Sequence, residues 1–207
     1  MARKSGCLAK CRARSRQVIT IVSGLPRSGT SLMMQMLAAG GMPVLSDGER
    51  VADVDNPRGY LEWERIKLLP RQPACIAEAE DKAVKVISQL LLALPAGHDY
   101  RIIFMERPLA EVVASQAEMI HRRGTSGPQI ADGALLAALQ AHLNQVNSWL
   151  KNQGETGFHV CRVQYHEVLT NARGVCEKIH GFLGRSLNLE AMAGQIDTSL
   201  YRQRSAS

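Results

Sequence analysis

A glycine-bounded turn that carries an arginine is the part of this chain best suited to chemistry. The chain runs through an apolar, β-branched stretch at 18–23, the turn Gly-Leu-Pro-Arg-Ser-Gly at 24–29, and helix-forming residues from 31 onward. Glycines let a backbone approach an anion closely, and the first N–H groups of a helix have no intrahelical partners. Arg27 adds a charged donor inside the same turn. This strand, turn and helix therefore predict a site for a phosphate-like anion.

The spacing of this turn matches a Walker A loop at all but one position. Thr30 stands where that loop carries its lysine, the residue that reaches the β- and γ-phosphates of a nucleoside triphosphate. No strand pattern ends clearly in the aspartate of a Walker B motif. Both departures argue against hydrolysis of ATP or GTP. A Mg²⁺-dependent kinase of nucleotides or other small molecules, with a degenerate loop, stays open as an alternative.

A second strand, turn and helix pattern follows at 101–115. Arg107 comes at the end of the strand, and Ser115 lies about two helical turns later, at roughly 3.6 residues per turn. An arginine grips a phosphate through two parallel N–H donors, and a hydroxyl completes the contact. Alone, an arginine at a strand end is more often a surface salt bridge. Together with the first turn, it predicts two anion sites on one edge of a sheet.

The elements that must position these residues alternate along the chain. Strands are expected at 18–23, 83–87, 101–105 and 158–163, and the main helices near 31–39, 109–122, 132–150 and 171–184. This alternation predicts an α/β fold, a three-layer sandwich with a central, mainly parallel sheet. Ligands bind beyond the carboxyl ends of such strands. The irregular segments 46–73 and 122–132 are expected to cover a site there.

Composition limits the class of protein. The chain has 207 residues, 45% of them hydrophobic and 21% charged, which predicts one globular domain at 17–207. The net charge of +6 comes from the first seventeen residues, which contain no acid, so the body is neutral. Residues 1–16 are therefore expected to be a disordered basic arm, with no specific nucleic-acid partner. A tail that binds nucleic acid or a membrane surface is the alternative.

The cysteine and hydropathy patterns indicate the compartment. Five scattered cysteines argue against a disulfide framework and favour a reduced, cytoplasmic protein. No apolar run is long enough to cross a membrane, and the basic N-terminus lacks the apolar segment of a secretory signal. No group of histidines and cysteines has metal-ligand spacing, so no metal is expected.

The paired anion motifs resemble those of the sulfotransferases that use 3′-phosphoadenosine 5′-phosphosulfate (PAPS). The sequence Pro-Arg-Ser-Gly-Thr at 26–30 resembles that family's 5′-phosphosulfate loop, and Arg107 with Ser115 resembles its 3′-phosphate site. The stretch 163–169 resembles a later Tyr-Glu-Asp-Leu segment. Two further segments, 55–62 and 199–202, look like a bacterial branch of unassigned members. The resemblance covers about residues 17–204, in order.

The resemblance implies a transferase with a P-loop-like α/β fold. Its reaction moves a sulfuryl group from PAPS to a hydroxyl or amine of an unidentified acceptor and releases 3′,5′-adenosine bisphosphate (PAP). PAPS has no β- or γ-phosphate for a lysine to reach and needs no bridging Mg²⁺, which accounts for Thr30. A non-catalytic module that kept the nucleotide site is a further alternative.

The resemblance also implies roles for single residues. Arg27 is expected to stabilise the leaving group, and Lys85 to reach the transferring sulfonate. Many relatives use a histidine base from a segment comparable to 84–88, which has none here. Glu62 is therefore the candidate base, with Glu64 or no dedicated base as alternatives. The expected donor-binding residues are Pro26, Arg27, Ser28, Gly29, Thr30, Ser31, Arg107, Ser115, Tyr165 against the adenine, and Arg202 from the C-terminus.

Structural roles remain open for three of these residues. Lys85 is equally well explained as a solvated charge at a strand end, and Tyr165 as a core tyrosine with a satisfied hydroxyl. Arg202 is equally well explained as part of an exposed basic tail.

Overall fold

A parallel β-sheet forms the centre of the protein. The computed structural model describes residues 18–53, 56, 58–122, 132–153 and 157–197. Within these residues the sheet has four strands, in the order β2-β1-β3-β4. They are β1 (Val18–Gly24), β2 (Ala83–Lys85), β3 (Asp99–Glu106) and β4 (Phe158–Gln164). Because all four run in the same direction, the residues that follow them meet at one edge of the sheet.

Helices cover both faces of this sheet. They are α1 (Thr30–Ala39), α2 (Ser88–Leu91), α3 (Leu109–Arg122), α4 (Asp132–Asn152), α5 (Tyr165–Thr170), α6 (Ala172–Leu183) and α7 (Leu189–Ala193), with 3₁₀ helices at Glu64–Leu68 and Pro73–Ala79. Ile21 of β1 faces a core shared with α4, whereas the next residue, Val22, faces a core shared with α1 and α6. This alternation follows from the two-residue period of a strand. The expected α/β fold is confirmed.

Local sequence signals explain where the elements begin and end. The Asn171 side chain accepts a hydrogen bond from the Gly174 N–H at 3.2 Å and caps α6, and Gly184 ends that helix in a left-handed conformation. Strand β2 is shorter than expected, because the Val86 N–H pairs with Val22 but Ile87 already leads into α2. The 3₁₀ helix at Pro73–Ala79 was not expected from the sequence.

Polar contacts hold the segment between α1 and β2 against helix α1. The Gln35 side chain of α1 donates to Asn56 Oδ1 at 3.0 Å and to the Gly59 carbonyl at 2.8 Å. The Glu62 carbonyl accepts from the Ser46 hydroxyl at 3.1 Å. These contacts hold the segment against the carboxyl edge of the sheet. No helix in the described residues is long and apolar enough to cross a membrane.

Candidate functional site

The turn after β1 has left-handed backbone at two positions. Gly29 has a φ of 96°, and Arg27 reaches 70°, an uncommon value for a residue with a Cβ. The Ser28 N–H and hydroxyl both donate to the Leu25 carbonyl, at 3.1 Å and 2.7 Å. Ser28 was expected to donate to a bound anion. Its side chain, almost fully buried, instead holds the turn in shape.

Two glycines of this turn are packed so closely against other residues that a side chain would not fit. A Cβ on Gly24 would lie 2.6 Å from the Met105 carbonyl oxygen on β3. A Cβ on Gly29 would lie 2.4 Å from Cδ2 of Tyr165, at the start of α5. The turn is therefore pressed against the neighbouring strand on one side and an aromatic ring on the other. This tight packing holds the turn in place at the carboxyl edge of the sheet.

Hydrogen bonds join the two predicted anion sites to each other. Arg27 Nε donates to Ser115 Oγ at 3.0 Å, and Arg107 Nη1 donates to the Arg27 carbonyl at 3.1 Å. Arg107 Nε also donates to Glu111 Oε2 at 2.9 Å, one turn along α3. The Arg107 guanidinium lies 4.7 Å from the centre of the Tyr165 ring. One connected cluster thus holds both arginines.

An ion pair lies beside this cluster, at the end of β2. Lys85 Nζ donates to Glu62 Oε1 at 2.7 Å and to Ser31 Oγ, in the first turn of α1, at 3.0 Å. The Lys85 side chain is only 6% exposed. This contradicts the interpretation of Lys85 as a solvated strand-end charge. Burial lowers the pKa of the Lys85 ammonium, and its hydrogen bond with Glu62 offsets part of that effect.

Glu62 is held by a second cation that sequence reasoning missed. Arg50 Nη1 lies 3.0 Å from both carboxylate oxygens of Glu62, and its guanidinium stacks 3.5 Å from the centre of the Tyr60 ring. Burial raises the pKa of the Glu62 carboxyl, but Lys85 and Arg50 outweigh burial and hold that pKa below its ordinary value. No motif links Arg50 to Glu62, because the contact arises only when the segment folds back.

These residues line one cleft of about 430 Å³ at the carboxyl edge of the sheet. Of the described residues predicted for the site, only Ser28 is missing from its wall. Arg202 lies outside the described residues, as does the N-terminal arm, so both remain predictions. The predicted residues that the cleft brings together are Pro26, Arg27, Gly29, Thr30, Ser31, Glu62, Lys85, Arg107, Ser115 and Tyr165.

The charge of the cleft suits an anion. Seven lysines and arginines line it against four aspartates and glutamates, counting the described residues. Clefts with an excess of one sign raise the local concentration of ligands of the opposite sign. In the described part of the chain, no group of three or more His, Cys, Asp or Glu residues is placed to hold a metal ion.

Comparison with solved structures agrees with this architecture. The chain superposes on the sulfotransferase STF1 from Mycobacterium tuberculosis H37Rv with a TM-score of 0.57 and 14% identity, covering 90% of this chain and 74% of the other. The chain has the fold of the sulfotransferases. A sulfotransferase domain from the curacin biosynthetic pathway gives a TM-score of 0.52 at 14% identity, covering 87% of this chain and 78% of that domain.

A third match with the same fold comes from a cyanobacterial enzyme. The sulfotransferase domain from the Synechococcus PCC 7002 olefin synthase gives a TM-score of 0.51 at 16% identity, covering 88% of this chain and 78% of that domain. No protein-family model matches the sequence, and no curated protein sequence matches it. The likeness is therefore one of fold, and function must be argued from the cleft.

Proposed function

We propose that this protein is a PAPS-dependent sulfotransferase that transfers a sulfuryl group to a hydroxyl or amine of an acceptor. The observation that carries the proposal is the joined cluster of Arg27, Ser115 and Arg107 beside the Lys85 ammonium, all in one cleft. PAPS carries a 5′-phosphosulfate and a 3′-phosphate, and the cleft offers two sets of anion donors.

Each anionic group of PAPS would bind one of the two sets of anion donors. The loop residues 29–31, with the free N–H groups at the start of α1, would hold the 5′-phosphosulfate together with Arg27. Arg107 and Ser115 would hold the 3′-phosphate, and the Tyr165 ring beside Arg107 would flank the nucleoside. Each anion would replace contacts that these side chains now make with one another.

The position of Lys85 favours this donor over a magnesium nucleotide. Ser31 is the residue whose equivalent in a Walker A loop binds Mg²⁺ through its hydroxyl. Here that hydroxyl accepts from the Lys85 ammonium at 3.0 Å. A protein cation thus stands beside the hydroxyl that a kinase leaves for its metal. Thr30 supplies no charge in place of the missing Walker lysine.

Charge stabilisation is the main task of these residues in the proposed reaction. The donor supplies the sulfuryl group: the acceptor atom bonds to sulfur while the bond from sulfur to the bridging phosphate oxygen breaks, and the acceptor loses its proton. Negative charge builds on that leaving oxygen, and Arg27 and Lys85 are the cations placed to stabilise it. Before any ligand binds, hydrogen bonds to Ser115 and Glu62 hold these two cations in the cleft, and the donor would take over those contacts.

Glu62 is the proposed acceptor of that proton. Its carboxylate bonds Lys85 directly and lines the same cleft. A carboxylate that binds two cations is a weak base. The contact between Glu62 and Lys85 must therefore weaken before Glu62 can accept the proton. The sulfonate of a bound donor would compete for Lys85 and so raise the proton affinity of Glu62.

Calorimetric titration with PAP in the presence of EDTA, with ATP as the comparison ligand, tests the donor assignment. We expect PAP to bind without metal and Arg107→Ala to weaken binding by about 10- to 100-fold, the worth of a charge-assisted contact. Arg185→Ala removes an exposed arginine that bonds the Asp81 carbonyl, and serves as the control. Because Arg107→Ala leaves Glu111 without this partner, Ser115→Ala is measured as a second variant.

The alternatives give different results in the same experiment. ATP binding that requires Mg²⁺, with no PAP binding, would overturn the assignment in favour of a kinase. PAP binding without transfer to any acceptor in a broad screen would point to a non-catalytic nucleotide-binding module.

A further inference from the structure

Part of the lining of the cleft is apolar. It consists of side chains from four different parts of the chain, and we call it the acceptor wall. The acceptor wall comprises Leu32, Trp63, Ile66, Ile87, Leu90 and Met119. These residues belong to α1, the Glu64–Leu68 segment and its entry, the β2–α2 connection together with α2, and α3.

The acceptor wall adjoins the groups proposed to react. Ile87 lies two residues beyond Lys85 in an extended stretch, and residues two apart share a side of such a stretch. Trp63 directly follows Glu62, and Leu32 directly follows Ser31, the hydroxyl that binds Lys85. An acceptor with its nucleophile at Glu62 and Lys85 therefore has these apolar side chains within reach.

The exposure of the acceptor wall suits a ligand. Trp63 and Ile66 are 7% and 6% exposed and form a buried base, whereas Ile87 is 36% exposed and Leu90, Leu32 and Met119 are partly exposed. Single exposed apolar side chains are common on protein surfaces. Several apolar side chains that line the same concave site are the usual lining of a small-molecule pocket.

The charged residues of the cleft next to the acceptor wall are paired with each other. Lys67 forms an ion pair with Glu64 three residues earlier, and Arg122 Nε bonds Glu118 Oε1 at 3.1 Å. Each pair is close to neutral, so neither offers a net charge to a ligand. Elsewhere in the cleft, Lys85 and Arg50 share the single carboxylate of Glu62, and Arg27 and Arg107 line the part proposed for the donor.

From this arrangement we infer that the acceptor is an uncharged alcohol with an extended apolar body. The inference rests on the proposed function, because it names the substrate class of the same cleft. A sugar would bring several hydroxyls that need hydrogen-bond partners, and among the acceptor-wall side chains only Trp63 carries an N–H or O–H group. An anionic acceptor would place a second negative charge beside those of the donor, and the two would repel each other.

A homologous series of straight-chain primary alcohols tests the inference on the protein saturated with PAP. Affinity is measured by calorimetry and transfer by release of PAP from PAPS. Burying each methylene contributes about 0.8 kcal/mol, so affinity and kcat/KM should rise about fourfold per carbon until the wall is covered. Glucose and the anionic 6-hydroxyhexanoate, which carry the same kind of primary hydroxyl, should bind and react at least about tenfold more weakly than hexanol.

Two matched variants separate the acceptor wall from general surface effects. Ile87→Ser should lower the affinity for octanol about tenfold and flatten the chain-length series, while PAP affinity stays within about twofold of the native value. Leu136→Ser changes an equally exposed leucine of α4 that does not line the cleft, and should leave both affinities unchanged.

The outcomes distinguish failure of the inference from failure of the proposed function. Intact PAP binding with a flat alcohol series, or with a preference for glucose or 6-hydroxyhexanoate, would overturn the apolar acceptor and leave the donor assignment standing. A lack of PAP binding would overturn the proposed function itself, on which the inference depends.

Discussion

Lys85 and Glu62 form a largely buried ion pair, with 2.7 Å between Lys85 Nζ and Glu62 Oε1, beside the glycine-bounded turn that leads into α1. The pair joins the two halves of the proposed chemistry, because the lysine also bonds Ser31 at the turn and the glutamate faces the acceptor side. Neither residue can change its partner without affecting the other. The state of this pair is therefore expected to control both the strength of the base and the charge offered to the donor.

The first prediction concerns the base. Glu62→Gln keeps the shape of the side chain and an oxygen that accepts from Lys85, so the protein should still fold, at some cost in stability, and PAP affinity should be nearly unchanged. Loss of the proton acceptor should lower kcat by about 10²- to 10⁴-fold, the usual worth of general-base catalysis. Steady-state kinetics with PAPS and a saturating acceptor measure this loss.

Glu64→Gln tests the competing candidate in the same assay, and Glu177→Gln, on the exposed face of α6, is the control. Full activity in Glu62→Gln with a large loss in Glu64→Gln would transfer the role to Glu64. Equal activity in all three variants would mean that the reaction has no dedicated base.

The second prediction concerns the stability of the Lys85–Glu62 pair. Removing one member leaves the other charge poorly solvated, so Lys85→Met and Glu62→Gln together should cost less than the sum of their separate effects. A double-mutant cycle by urea unfolding should give a coupling energy of about 1–3 kcal/mol.

The exposed pair Lys67–Glu64 provides the matched cycle, because its side chains are 65% and 30% exposed. Its coupling energy should stay below about 1 kcal/mol. Similar coupling energies in the two cycles would contradict the special stability of the buried pair.

The third prediction concerns the turn itself. Gly29→Ala would force a Cβ to within 2.4 Å of Tyr165 Cδ2 at a φ of 96°, whereas Gly41→Ala meets nothing within 4 Å at a φ of 91°. Gly41→Ala should therefore lose only the cost of the left-handed backbone, about 1–2 kcal/mol of unfolding free energy. Gly29→Ala should lose more and should also weaken PAP binding.

Thermal and urea unfolding of both variants measure the difference. In a protein that already carries Tyr165→Ala, the clashing ring is gone. Adding Gly29→Ala there should therefore cost less unfolding free energy than it costs in the native protein. Equal destabilisation by the two glycine substitutions would show that Tyr165 does not press on the turn.

The fourth prediction concerns pH. The pKa of Glu62 in the folded protein is below its ordinary value of 4.5. The ionised carboxylate therefore contributes its full stabilisation at pH values above 4.5. That stabilisation is lost as the pH falls through the lower pKa of the folded protein. Arg50→Gln removes one of the two cations that lower this pKa. The acid limb of the kcat/KM profile should then move to higher pH.

Arg58→Gln is the comparison for this effect, since Arg58 lines the same cleft but bonds the Gln195 carbonyl at 2.7 Å and makes no ion pair with Glu62. Its acid limb should stay where it is in the unaltered protein. An unshifted limb in Arg50→Gln would mean that Arg50 does not set the proton affinity of the group that limits the rate.

Local sequence patterns predicted much of the fold because they act over short distances. Apolar, β-branched runs predicted all four strands of the described sheet, and the Asn171 cap with Gly184 predicted both ends of α6. The site was harder, because it depends on contacts between distant segments. The Ser28 hydroxyl was expected to face an anion, yet the backbone of its own turn uses it. Arg50 carried no signal at all.

The sequence by itself determined the glycine-bounded turn after a buried strand and the second arginine motif after a neighbouring strand. Both depend on residues close together in the chain, and a parallel sheet brings strand ends to one edge. Only the tertiary structure decided which groups the cations bind: Lys85 pairs with Glu62, Arg107 pairs with Glu111, and Arg27 donates to the Ser115 hydroxyl. The partner of a long side chain depends on which groups lie near it and on how deeply it is buried, and both are properties of the folded chain.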